Sequence, residues 1–117
     1  MHKIDCLGVG SPIVDTLAKV DDAFLAKVDA AKGGMILVDA DRMSSVLKLL
    51  SGPLAEAPGG SAGNTLVAMA HLGSKTDMLG KIGDDETGAF YVSSMEKAGA
   101  TATRIKRGKG PSARYLS

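Results

Sequence analysis

Pro58-Gly59-Gly60-Ser61-Ala62-Gly63-Asn64 decides how this sequence is read: a glycine pair leads into a nearly all-apolar helix predicted over Ala62 to Leu72 and closed by Gly73. Two adjacent glycines let a backbone lie against a ligand with no Cβ in the way. Asn64 falls in the first turn of that helix, where its amide can donate and accept at once. The vicinal hydroxyls of a sugar need that mix of partners. The same residue types also suit a plain loop with Ser61 as N-cap and a solvated Asn64, and spacing alone leaves both readings open.

Towards the N-terminus, Ile4 to Gly10 reads as a short buried strand ending in glycine. Beyond Ser11-Pro12, the β-branched run Ile13 to Val20 places Ile13, Asp15, Leu17 and Lys19 on one face at strand period. Asp21 suits the N-cap of a short helix lined by Phe24, Leu25 and Val28. Gly33-Gly34 then breaks the chain before a compact apolar strand, Met35-Ile36-Leu37-Val38. A helix from about Ala40 carries Met43, Val46, Leu47 and Leu50 at helical spacing and stops at Gly52-Pro53.

Towards the C-terminus, a strand is predicted from Thr76 to Ile82, a turn at Gly83-Asp84-Asp85, and an amphipathic helix from Glu86 to Ala98 with Phe90, Val92 and Met95 inward. Arg104, Lys106, Arg107 and Lys109 read as a solvated hairpin loop, and Ala113 to Ser117 as the first half of a strand with no turn and no partner after it. Strands alternating with helices predict an α/β architecture with a largely parallel sheet. Such a sheet needs helices on both faces, and too few are present, so the chain is expected to be the front part of a larger protein.

Composition narrows the function. The 117 residues carry a net charge of +1, one cysteine, two Tyr, two Phe and no Trp. So few rings argue against a single-stranded nucleic-acid binder, and so little net charge provides no field to steer a polyanion. Cys6 alone makes no intramolecular disulfide and no metal cluster, and His2 and His71 lack a metal-ligating partner at i+4. The apolar runs fall far short of a membrane span and the N-terminus is no signal peptide, so a cytoplasmic protein without membrane or nucleic-acid partners is expected. Gly8-Val9-Gly10-Ser11-Pro12-Ile13 approaches a dinucleotide fingerprint, with Ile36-Leu37-Val38-Asp39 as a strand ending in an acid. A nucleotide-dependent oxidoreductase is therefore the alternative, although Ile13 stands where Gly or Ala belongs and the following residues alternate like a strand.

The glycine pair, Asn64, Gly73 and Gly83 together resemble the first signature of the ribokinase-like (PfkB) carbohydrate and nucleoside kinases. Gly80-Lys81-Ile82-Gly83-Asp84-Asp85-Glu86-Thr87-Gly88 is similar to that family's G-x-x-G-x-D-x-x-G segment. Gly8 to Asp15 is similar to its G-N-x-x-x-D opening, with Ser11 in place of Asn. Val20 to Leu25 and Gly34 to Asp39 are most similar to the adenosine-kinase-type branch, while Leu66 departs from a position that is usually small.

The resemblance implies a ribokinase-like three-layer α/β/α domain, present in part, with a small β-sheet lid. Residues 1–117 would be the N-terminal part of one kinase domain, with lid segments at about 12–20 and 35–58 and the main α/β part at about 2–11 and 59–117. It implies that the Asp15 carboxylate accepts hydrogen bonds from two sugar hydroxyls. Ser11, Gly59, Gly60 and Asn64 would complete the sugar site, and Met35 and Leu37 would touch a base or other aglycone. The implied activity is transfer of the γ-phosphate of ATP, with Mg²⁺, to a primary hydroxyl of a ribose-type sugar or nucleoside, adenosine-like favoured. No metal ligand and no catalytic residue is assigned in this chain. The base aspartate and the anion hole are expected downstream, in a D-T-x-G-A-G-D signature that residues 1–117 lack, so the chain alone is expected to be inactive. The complete protein is expected to be a monomer or a lid-mediated homodimer. A non-catalytic sugar-binding or oligomerising module built from the lid alone is the third reading.

Overall fold

The computed structural model describes residues 3–117, so the reading of His2 lies outside the described residues. The element order is β1 (Cys6–Val9), β2 (Ile13–Leu17), α1 (Asp22–Lys27), α2 (Ala40–Leu49), β3 (Ala55–Gly59), α3 (Ser61–His71), β4 (Thr76–Gly83), α4 (Glu86–Lys97), β5 (Thr101–Gly108) and β6 (Ala113–Leu116). The chain divides into two compact units, one made of residues 1–16 and 56–117 and the other of residues 17–55.

The first unit holds a parallel sheet in the order β1-β4-β5. Cys6 lies opposite Thr76 and Val9 opposite Leu79, so the two predicted strands are neighbours. Leu66 of α3 and Tyr91 and Met95 of α4 form one core with Met78, Ile82, Ala100, Ala102 and Val14. The inward face of α4 is therefore Gly88, Tyr91 and Met95. Phe90 and Val92, expected to point inward with Met95, are half-buried at its flanks, because the 3-then-4 spacing runs through the tyrosine. Leu7, Val9 and Leu79 remain exposed, at 46%, 71% and 38%.

Pairing between β4 and β5 slips by one residue: Asp77 faces Thr101, but Leu79 faces Arg104. Such an irregularity strands a backbone amide. Asp77, wholly buried, takes it up: its carboxylate accepts from Thr103 N at 3.0 Å, Thr103 Oγ1 at 2.5 Å, Met78 N at 2.8 Å and the Arg104 guanidinium. Burial alone would raise its pKa. The bonds from Thr103, Met78 and Arg104 outweigh burial and hold it below the ordinary carboxylate value.

A second small sheet follows the order β3-β2-β6, with β2 and β6 parallel and Asp15 directly opposite Tyr115. The last segment pairs with β2, which the chain passed a hundred residues earlier (115 − 15). One expectation is corrected here. Arg104 and Lys106 to Gly108 form no hairpin loop: they lie in β5, paired with β4, and the chain after Gly108 crosses to the other sheet. β3 was legible only as loop, because Pro58 and Gly59 are poor strand formers. As an edge strand it tolerates a proline that a central strand would not.

In the second unit, Asp21 caps α1 by accepting from Phe24 N at 2.9 Å and Asp39 caps α2 by accepting from Arg42 N at 2.7 Å. The Arg42 side chain donates to Val28 O at 2.8 Å and ties the end of α1 to α2. Met35-Ile36-Leu37-Val38 forms no strand, contrary to expectation. An apolar run becomes a strand only against a lateral partner, and this one pairs with none among the described residues. The dinucleotide reading fails for related reasons: Asp39 ends no strand but caps α2, and Ile13 opens β2 where a phosphate would need a helix N-terminus.

Candidate functional site

The candidate residues gather where β1 ends and α3 begins. Gly10 closes β1 with its amide on Leu79 O at 3.2 Å, and Ser11-Pro12 carries the chain out of the large sheet into β2. The crossing is tight. A Cβ on Gly10 would stand 2.7 Å from Ala62 Cβ, and one on Gly80 would stand 2.7 Å from Gly10 O, so neither position has room for a side chain.

Asp15 and Gly59 meet in the small sheet. A Cβ on Gly59 would lie 2.5 Å from both carboxylate oxygens of Asp15, so the carboxylate rests on bare backbone. Gly60 has φ of +85°, a conformation that favours glycine, and a Cβ there would approach Ser11 O to 2.9 Å. The structure thus brings together Asp15 with Gly59, and Ser11 with Gly60. Asp15 is half-buried, and its carboxylate has no hydrogen bond or ion pair among the described residues.

Gly60 rather than Ser61 is the N-cap of α3, and no side chain caps this end. Ser61 is the first helical residue, and its carbonyl accepts from Thr65 Oγ1 at 2.8 Å. Asn64 sits in the first turn, exposed, with its backbone amide on Gly60 O at 3.0 Å and its side chain unpaired among the described residues. Uncapped helix amides, an exposed carboxamide and an unpaired carboxylate on glycine backbone together can accept and donate to a polyhydroxylated ligand. Met35 and Leu37 belong to the other unit, on a segment without regular structure, 83% and 100% exposed.

Two further residues escaped the sequence reading. The Tyr91 hydroxyl lies 3.5 Å from Gly59 O and 3.2 Å from Met78 Sδ, propping the glycine loop from within the core. Burial pushes its pKa up. A Cβ on Gly63 would fall 2.3 Å from that hydroxyl, which explains the third glycine of the stretch. The Gly88, Tyr91, Met95 spacing was the available signal. Tyr115, the other, is opposite Asp15 in register and so projects from the same face of the small sheet, 45% exposed. Only the β2–β6 pairing reveals it.

A parallel sheet flanked by α3 and α4, with a glycine pair feeding a helix beside a free carboxylate, defines an α/β protein with a candidate site for a polyhydroxylated ligand. Residues 23–116 match the family model for pfkB family carbohydrate kinases, and the chain belongs to that family. It is similar to the crystal structure of adenosine kinase from Sinorhizobium meliloti, at TM-score 0.79 and 38% identity, over 98% of this chain and 35% of that one. Fructokinase of Solanum tuberosum is 35% identical over 78 residues, 66% of this chain and 24% of the relative. A 5-dehydro-2-deoxygluconokinase of Clostridium perfringens is 39% identical over 51 residues, 44% of this chain and 15% of the relative. The chain therefore spans about a quarter or less of these curated relatives' length, and the ribokinase-like α/β fold is that of its structural neighbours.

Proposed function

We propose that the protein carrying this chain is an ATP-dependent kinase acting on a primary hydroxyl of a ribose-type sugar or nucleoside, with adenosine-like acceptors favoured over fructose. Residues 1–117 would supply one wall of its sugar site, and on their own they would transfer no phosphate. The observation that carries the reading is the unpaired Asp15 carboxylate seated on Gly59. Two neighbouring hydroxyls can share its two oxygens, which fixes the sugar's orientation before any chemistry. Asn64, Gly60 and Ser11 would hold the remaining polar edge. Tyr115, rather than Met35 or Leu37, is the aglycone contact that Asp15's own register favours.

ATP would supply the phosphoryl group, and Mg²⁺ would offset its charge. In this reading the part of residues 1–117 is to bind and orient the acceptor. The described residues include no helix long and apolar enough to cross a membrane. A cytoplasmic monomer or lid-mediated homodimer completes the proposal. Fructose is the second reading, favoured by the 35% identity to the potato fructokinase.

The test assays the full-length protein with ATP against adenosine, ribose and fructose, then repeats it with Asp15→Ala. A hydrogen bond to a charged group is worth about 1.5–3 kcal/mol, so acceptor affinity should fall at least about tenfold while ATP affinity holds. Unchanged acceptor affinity in the variant would refute the role given to Asp15, and fructose as the best acceptor would replace the ribose-type reading.

A further inference from the structure

Arg114 lies one residue before Tyr115 and points to the opposite face of β6, away from Asp15. Its Nε and Nη2 both donate to Thr87 Oγ1, at 3.2 and 2.6 Å, in the first turn of α4. Its Nη1 donates to Glu56 Oε1 on β3 at 3.0 Å, and the same oxygen is 3.5 Å from Thr16 Oγ1 on β2. One guanidinium thus gathers all three strands of the small sheet onto a helix of the large one. Arg114 and Glu56 have side chains only 27% and 33% exposed, so the contact is partly shielded from water.

The grip is doubled two residues upstream. Asp85, the N-cap of α4, accepts Gly88 N at 2.8 Å, Ser112 N at 2.8 Å and Ser112 Oγ at 2.6 Å, while Ser112 Oγ accepts Gly83 N at 3.1 Å. Burial opposes the Asp85 charge, but the two Ser112 bonds, the Gly88 amide and the Arg114 charge prevail and lower its pKa. Asp85 and Thr87 on one helical turn therefore hold Ser112, just before β6, and Arg114 within it.

We infer that Arg114 is a positioning residue: its clasp on Thr87 and Glu56 sets where the small sheet stands against α4, and so where Asp15 meets the acceptor sugar. The geometric half stands on the contacts alone. The effect on the acceptor rests on the kinase reading above.

The test uses the full-length protein and the variants Arg114→Ala, Thr87→Val, Thr87→Ser and the Arg114→Ala/Thr87→Val double. The first two should each raise KM for the acceptor about tenfold and leave KM for ATP within about twofold, as for loss of one charged hydrogen bond. Thr87→Ser, which keeps the hydroxyl, should match the wild type, and the double variant should be no worse than Arg114→Ala alone. In parallel, hydrogen exchange should quicken at the amides of β2 and β6, including Ser117 N, which bonds Thr16 O at 2.9 Å, and stay unchanged in β1 and β4. Additive effects, a Thr87→Ser as impaired as Thr87→Val, both KM values moving together, or unchanged exchange would overturn the inference. If no acceptor is phosphorylated at all, the kinase reading falls. The exchange arm then decides the clasp alone, faster β2 and β6 exchange supporting it and unchanged exchange refuting it.

Discussion

A methyl group at Gly63 and the hydroxyl of Tyr91 would claim the same space, since an ideal Cβ there falls 2.3 Å from that oxygen. Helix propensity alone favours alanine over glycine by roughly 0.5–1 kcal/mol. Overpacking a closed core costs about 1–3 kcal/mol, so Gly63→Ala should lower the melting temperature despite the better helix former. Tyr91→Phe removes the obstructing atom and leaves Cζ, 3.5 Å from the new methyl, at ordinary contact. Gly63→Ala should therefore cost less in the Tyr91→Phe background than in the wild type, measured as a thermal-melt double-mutant cycle; equal costs in both would mean the crowding is elsewhere. The same hydroxyl bears on Gly59 O, so a change made for packing reaches the backbone on which Asp15 rests.

At the level of elements, what was readable in the sequence was what local chemistry decides. Asp21 caps α1 through a bond to the amide of Phe24, three residues on, and such a cap needs no knowledge of the rest of the chain; Asp39, read as the end of a strand, caps α2 in the same way. β1 and β4 were legible for similar reasons, as short apolar runs ended by glycine. Strands that depend on a distant partner were not: Met35 to Val38 has strand composition without a neighbour, and β3 is a strand despite Pro58 because β2 holds it. Asp77 was invisible for the same reason, since its bonds exist only because β4 and β5 slip by one residue. Its pKa is lowered in the fold, so the native state holds this proton less readily than the unfolded chain does. The resulting stability is fully present above the unfolded value of 3.8 and is lost as pH falls through the lower folded value. Asp77→Asn should melt lower at neutral pH, because one amide oxygen cannot serve Thr103, Met78 and Arg104 together. It should also show a shallower acid slope in melting temperature below about pH 4 than the wild type. An unchanged acid slope would assign that stability to Asp85 or another carboxylate.

Across the whole molecule, β1 leaves one strand edge without a partner among the described residues, and Leu7, Val9 and Leu79 add an exposed apolar face. Bare edges and apolar patches recruit other chains. Residues 1–117 expressed alone should accordingly elute larger than a monomer and release no ADP from ATP with adenosine or ribose; a monomer with acceptor-dependent turnover would overturn both expectations. The small sheet has a further consequence, in time rather than space. β2 pairs with β6, and Asp15 and Tyr115 stand a hundred residues apart (115 − 15). At about 5–20 residues per second, a ribosome needs roughly 5–20 s to make that stretch. Through those seconds β2 is synthesised but lacks its parallel neighbour, while β1, α3 and β4 can already associate. Asp15, made a hundred residues ahead of Tyr115, thus waits for the strand that sets it in place.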